Sequence, residues 1–369
     1  MSGQNGSIST KLNIKLIANI GEFDNNSGFG VERYAYNLYL HLSHQHQINL
    51  GRSEINPLFN IKTASNLFLG ALKFSYLKCN SDILHFLTHI PFTNNKKFRI
   101  SSGKNVTIAT AHEFGIIVDS VAREIAYKEF VPNLLSFKKY LNFKLWQKII
   151  LGALQADFLL PNSTQTMNEA LKLGYPKNRI FLVNLGIEDA FLKPSIRKEN
   201  KNFILGYLGG LRKRKNVSFA IDAMRYVNDT KIKFEIFGKG EEYLNLKKNA
   251  NAVKNINFKG FAPNQKIISI YDSFDAFVFP SLYEGFGLPI LEAQSRGLPV
   301  IIYKKGKIPK EVRKYCFEAE SPEHMAQIIK NIKENGYNGK LQKKATEYAR
   351  SFTWGKTAKE TLEVYKKVL

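Results

Sequence analysis

The sequence predicts an α/β protein of two doubly wound units facing across a cleft. Three observations predict it: an alternating rhythm of short apolar strands and amphipathic helices, a restart of that rhythm after a polar connector near residue 195, and a length of 369 residues. At roughly 150 residues per domain, that length suggests about two domains. Apolar residues make up 44% of the chain and aromatics 12%, enough to fill its cores, so disorder is not the default reading.

The first strand is expected over residues 14–20, Ile-Lys-Leu-Ile-Ala-Asn-Ile. The loop Asn25-Asn26-Ser27-Gly28-Phe29-Gly30 follows, then a helix over 31–42 with Tyr34, Leu38 and Leu42 spaced by four. Strand, glycine loop and helix are the opening of a mononucleotide-binding unit. Apolar runs at 83–87, 106–111 and 158–160 continue the rhythm as further strands. It weakens over 190–202, where Pro194, Arg197, Lys198, Glu199 and Asn200 mark a connector. It restarts with strands at 203–208, 232–237, 256–259, 276–279 and 300–303, and helices at 217–227, 243–250, 267–273 and through Glu292. Ligands of such open sheets bind beyond the C-terminal ends of the strands, so two facing units make a substrate cleft.

The net charge of +23 points to anionic partners: nucleic acid, phosphorylated substrates or acidic membrane surfaces. A lysine-rich proteome accounts for it equally well. No nucleic-acid-binding module is visible, so nucleic acid is not an expected partner. Cys79 and Cys316 stand far apart, with no Cys-x-x-Cys pair, and read as two buried reduced thiols. The first ten residues are polar and unlike a signal peptide, and no run approaches the ~20 apolar residues of a membrane-spanning helix. The expected location is cytoplasmic, at most on a membrane face.

The most informative stretch is 276–300, Ala-Phe-Val-Phe-Pro-Ser-Leu-Tyr-Glu-Gly-Phe-Gly-Leu-Pro-Ile-Leu-Glu-Ala-Gln-Ser-Arg-Gly-Leu-Pro-Val. A buried strand ends at Pro280-Ser281. Gly285-Phe286-Gly287 then lets the backbone approach a ligand. Pro289 suits the first turn of a helix, whose free N–H groups suit phosphate or sugar oxygens. Glu284 precedes that loop and Glu292 sits on the helix, two carboxylates able to accept paired hydroxyls.

This string resembles the signature of the family-four retaining glycosyltransferases (glycosyl transferases group 1), which have the GT-B fold of two Rossmann-like domains. Their mark is Glu, seven residues, Glu, within Pro-Ser-x-x-Glu-Gly-Phe-Gly-Leu-Pro-x-Leu-Glu-Ala, matched here from Pro280 to Ala293. The resemblance implies that Glu284 contacts the donor sugar and Glu292 holds the ribose hydroxyls, with Gly285, Phe286, Gly287 and Leu288 around the donor. It implies an N-terminal acceptor-binding domain over 1–195, a C-terminal donor-binding domain over 196–353, and a terminal helix over 354–369. That helix, with Leu362, Tyr365 and Leu369, would pack back towards the first domain.

The segment 206–216, Gly-Tyr-Leu-Gly-Gly-Leu-Arg-Lys-Arg-Lys-Asn, occupies the place of the family's phosphate-binding segment, with Gly209 near the diphosphate. Gly210 stands where many members carry arginine. The ending is similar to an Arg-Lys-Asn variant, which makes Arg214 and Lys215 the candidates for charge stabilisation when the glycosidic bond breaks. By itself Arg212 to Lys215 reads as a solvated basic loop, and which of its cations touches phosphate is left open. Thr110-Ala-His112-Glu113 resembles the family's Thr-x-His-Asp segment, placing His112 at the donor sugar. Gly28-Phe29-Gly30 resembles its first glycine loop, and Gly238-Lys239-Gly240 the segment lining the base pocket. Asn162-Ser163-Thr164 and 183–188 match recurring family segments taken as structural.

No Asp-x-Asp motif appears and no His or carboxylate spacing suits a metal, so the expected ligand is a GDP- or UDP-sugar with no metal or other cofactor. The resemblance implies retention of anomeric configuration by front-side attack. Lys138, Lys139, Lys144 and Lys148 beside Phe137, Tyr140, Phe143 and Trp146 suggest contact with an acidic membrane, and with it a lipid-linked glycan acceptor. A solvated face over a core explains them as well. A dinucleotide oxidoreductase lacks its full Gly-x-Gly-x-x-G here. A non-catalytic subunit of the same fold is the remaining rival, its one visible sign being Gly210.

Overall fold

A computed structural model describes residues 11–19, 30–55, 81–87, 105–130, 137–195 and 201–369. They form two sheets in which every neighbouring pair of strands is parallel. The first contains β1 (Leu12–Asn19), β2 (Ile48–Ile55), β3 (Ile83–Phe86), β4 (Val106–Ala111) and β5 (Phe158–Pro161), in the order β2-β1-β3-β4-β5. The second contains β6 (Phe203–Leu208), β7 (Ile232–Phe237), β8 (Ile256–Gly260), β9 (Ala276–Phe279), β10 (Val300–Tyr303) and β11 (Phe317–Ala319), in the order β11-β10-β9-β6-β7-β8.

Parallel strands are covered by helices on both faces and therefore read as continuous apolar runs. β3 and β9 are buried at every position, and both runs are legible in the sequence. β2 and β11 are additions to the expected strands. Both lie at sheet edges, β2 with the polar sequence Ile-Asn-Leu-Gly-Arg-Ser-Glu-Ile and β11 with only three residues.

The strand order reverses around β1 in one sheet and around β6 in the other. Such switch points leave a crevice at the carboxyl ends of the strands. Because β6 pairs with β9, the loops leaving those two strands run side by side. That adjacency brings residues 209–216 against 280–287.

The connector is stapled at its start. Ser195 Oγ donates to Asp272 Oδ1 at 2.6 Å, and Arg296 donates to the carbonyls of Lys193 and Pro194 at 2.6 and 3.1 Å. Residues 196–200 lie outside the described residues. The final helix, Trp354–Val368, returns to the first sheet against the helix Gly30–Ser43. It buries Trp354, Leu362 and Tyr365, and the Tyr365 hydroxyl meets His85 Nδ1 on β3 at 2.5 Å. Leu369 is exposed instead, being beyond the last helical turn. Cys79 lies outside the described residues. Cys316 is half-buried rather than buried, with burial pushing its thiol pKa up.

Candidate active site

Glu284 follows β9 and is 6% exposed. Opposite it, the loop from β6 tightens into a short turn at Lys213–Lys215 that ends on Asn216. Asn216 is left-handed, at φ 52°, a conformation asparagine tolerates better than most residues. Its side chain donates to the Pro280 carbonyl at 3.2 Å, tying the two loops together. This turn divides the basic run. Arg212 and Lys213 are exposed, whereas Arg214 and Lys215 turn inward. Lys215 Nζ stands 2.5 Å from Glu284 Oε1, and Arg214 Nη1 stands 3.4 Å from Oε2. Arg214 also donates to the Tyr283 carbonyl at 3.2 Å. The Lys215 ammonium lies 4.8 Å from the centre of the Phe279 ring, a cation–π contact.

Burial pushes the Glu284 pKa up, but Lys215 and Arg214 outweigh it and hold the carboxyl below the usual range. Burial pulls Lys215 down, against the opposing pull of Glu284 and with help from Arg214, to about 8. With Lys215 protonated, two cations face one carboxylate and the cluster carries a net charge of +1.

The glycine loop is clamped by the first sheet's side of the molecule. A Cβ on Gly285 would lie 2.2 Å from the His112 carbonyl oxygen, so no other residue fits there. Ser163 Oγ donates to the Gly285 carbonyl at 2.8 Å, and Gln165 Nε2 to that of Glu284 at 3.0 Å. The Tyr283 hydroxyl donates to Glu169 Oε1 at 2.9 Å and accepts from the Gly115 N–H at 3.1 Å. Gly287, at φ 108°, starts the helix Leu288–Ser295, with Pro289 in its first turn. The side chains of Phe286 and Leu288 are buried in the core, which leaves only their backbone to meet a ligand.

His112 follows β4. Its Nε2–H donates to the Leu87 carbonyl at 2.9 Å, and its ring meets Tyr34 edge-on at 5.3 Å. Burial lowers its pKa against the opposing Leu87 bond, so the ring is neutral. Thr110 Oγ1 meets both Tyr34 OH and His85 Nε2 at 2.8 Å, which links this strand end to the final helix through His85 and Tyr365.

Gly209 and Gly238 stand back to back after β6 and β7. A Cβ on Gly238 would meet the Gly209 carbonyl oxygen at 1.9 Å, so the pair sets how closely these loops approach. A Cβ on Gly210 would meet nothing within 4 Å. Gly30 begins the helix Gly30–Ser43, and Gly28 and Phe29 lie outside the described residues.

Glu292 is only 2% exposed and does not face an open cleft. Arg33 Nη1, from the helix Gly30–Ser43, stands 2.6 Å from its Oε1, and the Tyr271 hydroxyl donates to its Oε2 at 2.8 Å. Arg33 Nε donates to Glu188 Oε1 at 3.1 Å. Burial lowers the Arg33 pKa, but Glu292 and Glu188 raise it above the usual arginine value. Sequence reasoning missed Arg33 and Tyr271, and it took Ser163 and Glu188 for structural residues. One signal was available for Arg33. It shares the buried helix face of Tyr34, Asn37 and Leu38, where a cation needs a carboxylate partner.

On the helix Phe137–Gly152, Tyr140, Lys144 and Lys148 are exposed, Phe143 is buried and Trp146 half-buried. The side chains of Phe137, Lys138 and Lys139 lie outside the described residues. Among the described residues, no group of three or more His, Cys, Asp or Glu is placed to hold a metal ion, and no helix is long and apolar enough to cross a membrane.

Comparison with known proteins agrees with this architecture. Residues 188–352 match the family model described as glycosyl transferases group 1. The O-antigen chain mannosyltransferase B of Escherichia coli is 24% identical over 232 residues, covering 57% of this chain and 61% of that protein. The chain thus spans about three fifths of that relative's length. Sucrose-phosphate synthase from Thermosynechococcus elongatus superposes with a TM-score of 0.72 at 18% identity, over 97% of this chain and 99% of that one. The Anabaena protein HepE, solved in complex with UDP and glucose, superposes with a TM-score of 0.64 at 15% identity, over 96% of this chain and 100% of that one. The chain therefore has the GT-B fold, two Rossmann-like domains facing across a cleft, and its second half carries the segment shared by the glycosyl transferases group 1.

Proposed function

We propose that the chain moves a sugar from a nucleotide-sugar donor to a hydroxyl of a glycan or lipid-linked acceptor, with retention of anomeric configuration. The observation that carries this reading is Glu284 held between Arg214 and Lys215 where the loops after β6 and β9 meet. When the bond from the sugar's anomeric carbon to the diphosphate breaks, negative charge builds on the leaving oxygens. Two fixed cations in a buried setting stabilise that charge without reorganising. In this reading they serve as the leaving group's electrostatic partners, and no metal ion is required. The acceptor oxygen attacks the anomeric carbon on the face the diphosphate leaves. The acceptor's proton passes to the departing phosphate oxygen.

A carboxylate tied to two cations is a weak nucleophile, which favours a positioning role for Glu284 over covalent attack. His112 stands at the donor sugar as a neutral ring. Backbone N–H groups at Gly30, Gly209 and Gly285 to Leu288 approach the donor, Glu292 takes the ribose, and Gly238 borders the base. The domains divide at residue 195, the first taking the acceptor and the second, to 353, the donor. The donor favoured is GDP-mannose, from the Arg-Lys-Asn ending and the mannosyltransferase named among the relatives. UDP-sugars come second, from the UDP complex of HepE.

The test is nucleoside diphosphate release from GDP-mannose, UDP-glucose, UDP-galactose and UDP-N-acetylglucosamine, with a chelator present. Release is expected, fastest from GDP-mannose. No release from any donor, with or without glycan acceptors, would leave a non-catalytic GT-B subunit. The exposed Tyr140, Lys144 and Lys148 support a peripheral site on the cytoplasmic membrane face. Flotation with anionic vesicles at low salt is the expected result, and no flotation would discard that location.

A further inference from the structure

We infer that the crevice between the helix Thr164–Lys172 and residues 307–310 is a second ligand site, which takes an acidic sugar: a ring of hydroxyls carrying one carboxylate or phosphate group. The crevice encloses about 340 Å³. Small-ligand pockets hold roughly 300–1,000 Å³ and concentrate where two domains meet. One wall is the helix Thr164–Lys172 with Val118 and Asp119, and the other is Lys307, Pro309 and Lys310 from the second half of the chain. On the helix, Gln165, Asn168, Glu169 and Lys172 recur every three or four residues, so one polar stripe faces the crevice. None of the free cations of this site belongs to the cluster around Glu284, so the inference stands apart from the nucleotide-sugar reading.

Charge comes first. Lys307 is spent on Asp119, in a salt bridge that spans the two walls. Lys172 and Lys310 are exposed, stand on opposite walls, and like Asn168 make no hydrogen bond or ion pair among the described residues. They face one carboxylate, Glu169, so the crevice is positive and suits an anion. Burial raises the Glu169 pKa, against hydrogen bonds from Phe114 and Tyr283, and any loss of its charge leaves the balance more positive. A bare anion leaves the rest of the lining unused. Glu169 forms the floor of the crevice, where it accepts from the Phe114 N–H on Oε2 and the Tyr283 hydroxyl on Oε1, both at 2.9 Å. A carboxylate offers about four lone-pair sites, so acceptor capacity remains for sugar hydroxyls, and the Asn168 amide both donates and accepts. Val118 and Pro309 give apolar surface for the C–H groups of a ring. The same stripe holds the glycine loop, through Gln165 on the Glu284 carbonyl and Glu169 on the Tyr283 hydroxyl. A ligand here therefore bears on the helix that clamps that loop.

The test is calorimetric titration of the full chain with glucuronate, mannose 6-phosphate, uncharged mannose and inorganic phosphate, in the presence of excess GDP or UDP to fill the site around Glu284. An acidic sugar is expected to bind roughly tenfold or more tighter than mannose, the worth of hydrogen bonds to a charged group, and also tighter than inorganic phosphate. The tighter of the two acidic sugars names the anionic group. The double variant Lys172→Ala, Lys310→Ala should erase the preference over mannose and leave GDP and UDP affinity unchanged. Both lysines are exposed, so the variant keeps the fold. Equal affinity for acidic sugars and mannose overturns the inference. So does a preference that survives in the double variant, or inorganic phosphate binding as tightly as the acidic sugars. A chain that binds acidic sugars but neither GDP nor UDP keeps this site and overturns the nucleotide-sugar reading, and the reverse result overturns this site alone.

Discussion

Glu284 and Glu292 stand on one loop-helix unit, both almost fully buried and both facing cations, yet the cations come from different places. Those of Glu284 are supplied by the neighbouring loop of the same sheet. The pairing of β6 with β9 assembles them, and they would persist if the two domains moved apart. The cation of Glu292 comes from the first domain and reaches it only while the domains face each other. The cations at Glu284 are therefore assembled by neighbouring loops of one sheet, whereas the cation at Glu292 depends on the contact between the two halves of the chain. The clamp of Ser163, Gln165 and Glu169 on residues 283–285 belongs to that interface as well.

The largest expected effect breaks the preassembled end. Glu284→Gln keeps the shape but removes the charge that orders Lys215 and Arg214. Turnover is expected to fall by roughly 10²- to 10³-fold, the scale of losing one preorganised electrostatic group, with nucleotide affinity little changed. Near-normal turnover in that variant would remove Glu284 from the site.

Lys215 gives the next effect through pH. Its pKa of about 8 lies below the ordinary lysine value, so the ammonium is lost as pH rises through that point. The cluster then falls from +1 to neutral. Turnover per donor encounter, kcat/KM, reports the free enzyme and is expected to decline above pH 8. Lys215→Arg should move the decline out of range. Stability moves the other way. Between about 8 and the ordinary lysine value the unfolded chain binds the extra proton, so this group's contribution to stability rises with pH there. Activity falling while thermal stability holds or rises separates loss of charge from unfolding, and a flat kcat/KM would place Lys215 away from the diphosphate.

How much of this was legible follows from how local each signal is. The β9 strand, the glycine loop and the two glutamates lie within one short stretch, so the strand, loop and helix could be placed from the sequence, whereas the roles given to the glutamates came from the family resemblance. In the basic run at 212–215 only the resemblance singled out Arg214 and Lys215, because the residue pattern alone does not show the turn, ending on the left-handed Asn216, in which these two face inward. Arg33 could be marked at most as a cation on an apolar helix face, because its partners, Glu188 and Glu292, come from distant parts of the chain. β2 escaped because an edge strand carries polar residues that a central strand cannot.

The smallest expected effect sharpens the comparison by adding charge to one end alone. Gly210 occupies the place where the resembling family carries arginine, and the structure leaves room for it: a Cβ there meets nothing within 4 Å and the backbone is not left-handed. The Tyr207 hydroxyl already donates to the Gly210 carbonyl at 2.9 Å, so the loop is held without help from a side chain. Gly210→Arg should therefore leave thermal stability within the usual range for surface substitutions, about 0.5 kcal/mol. It should lower the donor KM by roughly two- to fivefold, a modest gain from one more guanidinium near the diphosphate. The ratio of affinity for a ribonucleotide to that for its 2′,3′-dideoxy counterpart should not change, because the added cation lies on the loop beside Glu284 and not beside Glu292. A shift in that ratio would mean that the two ends of the cleft are coupled rather than separately built.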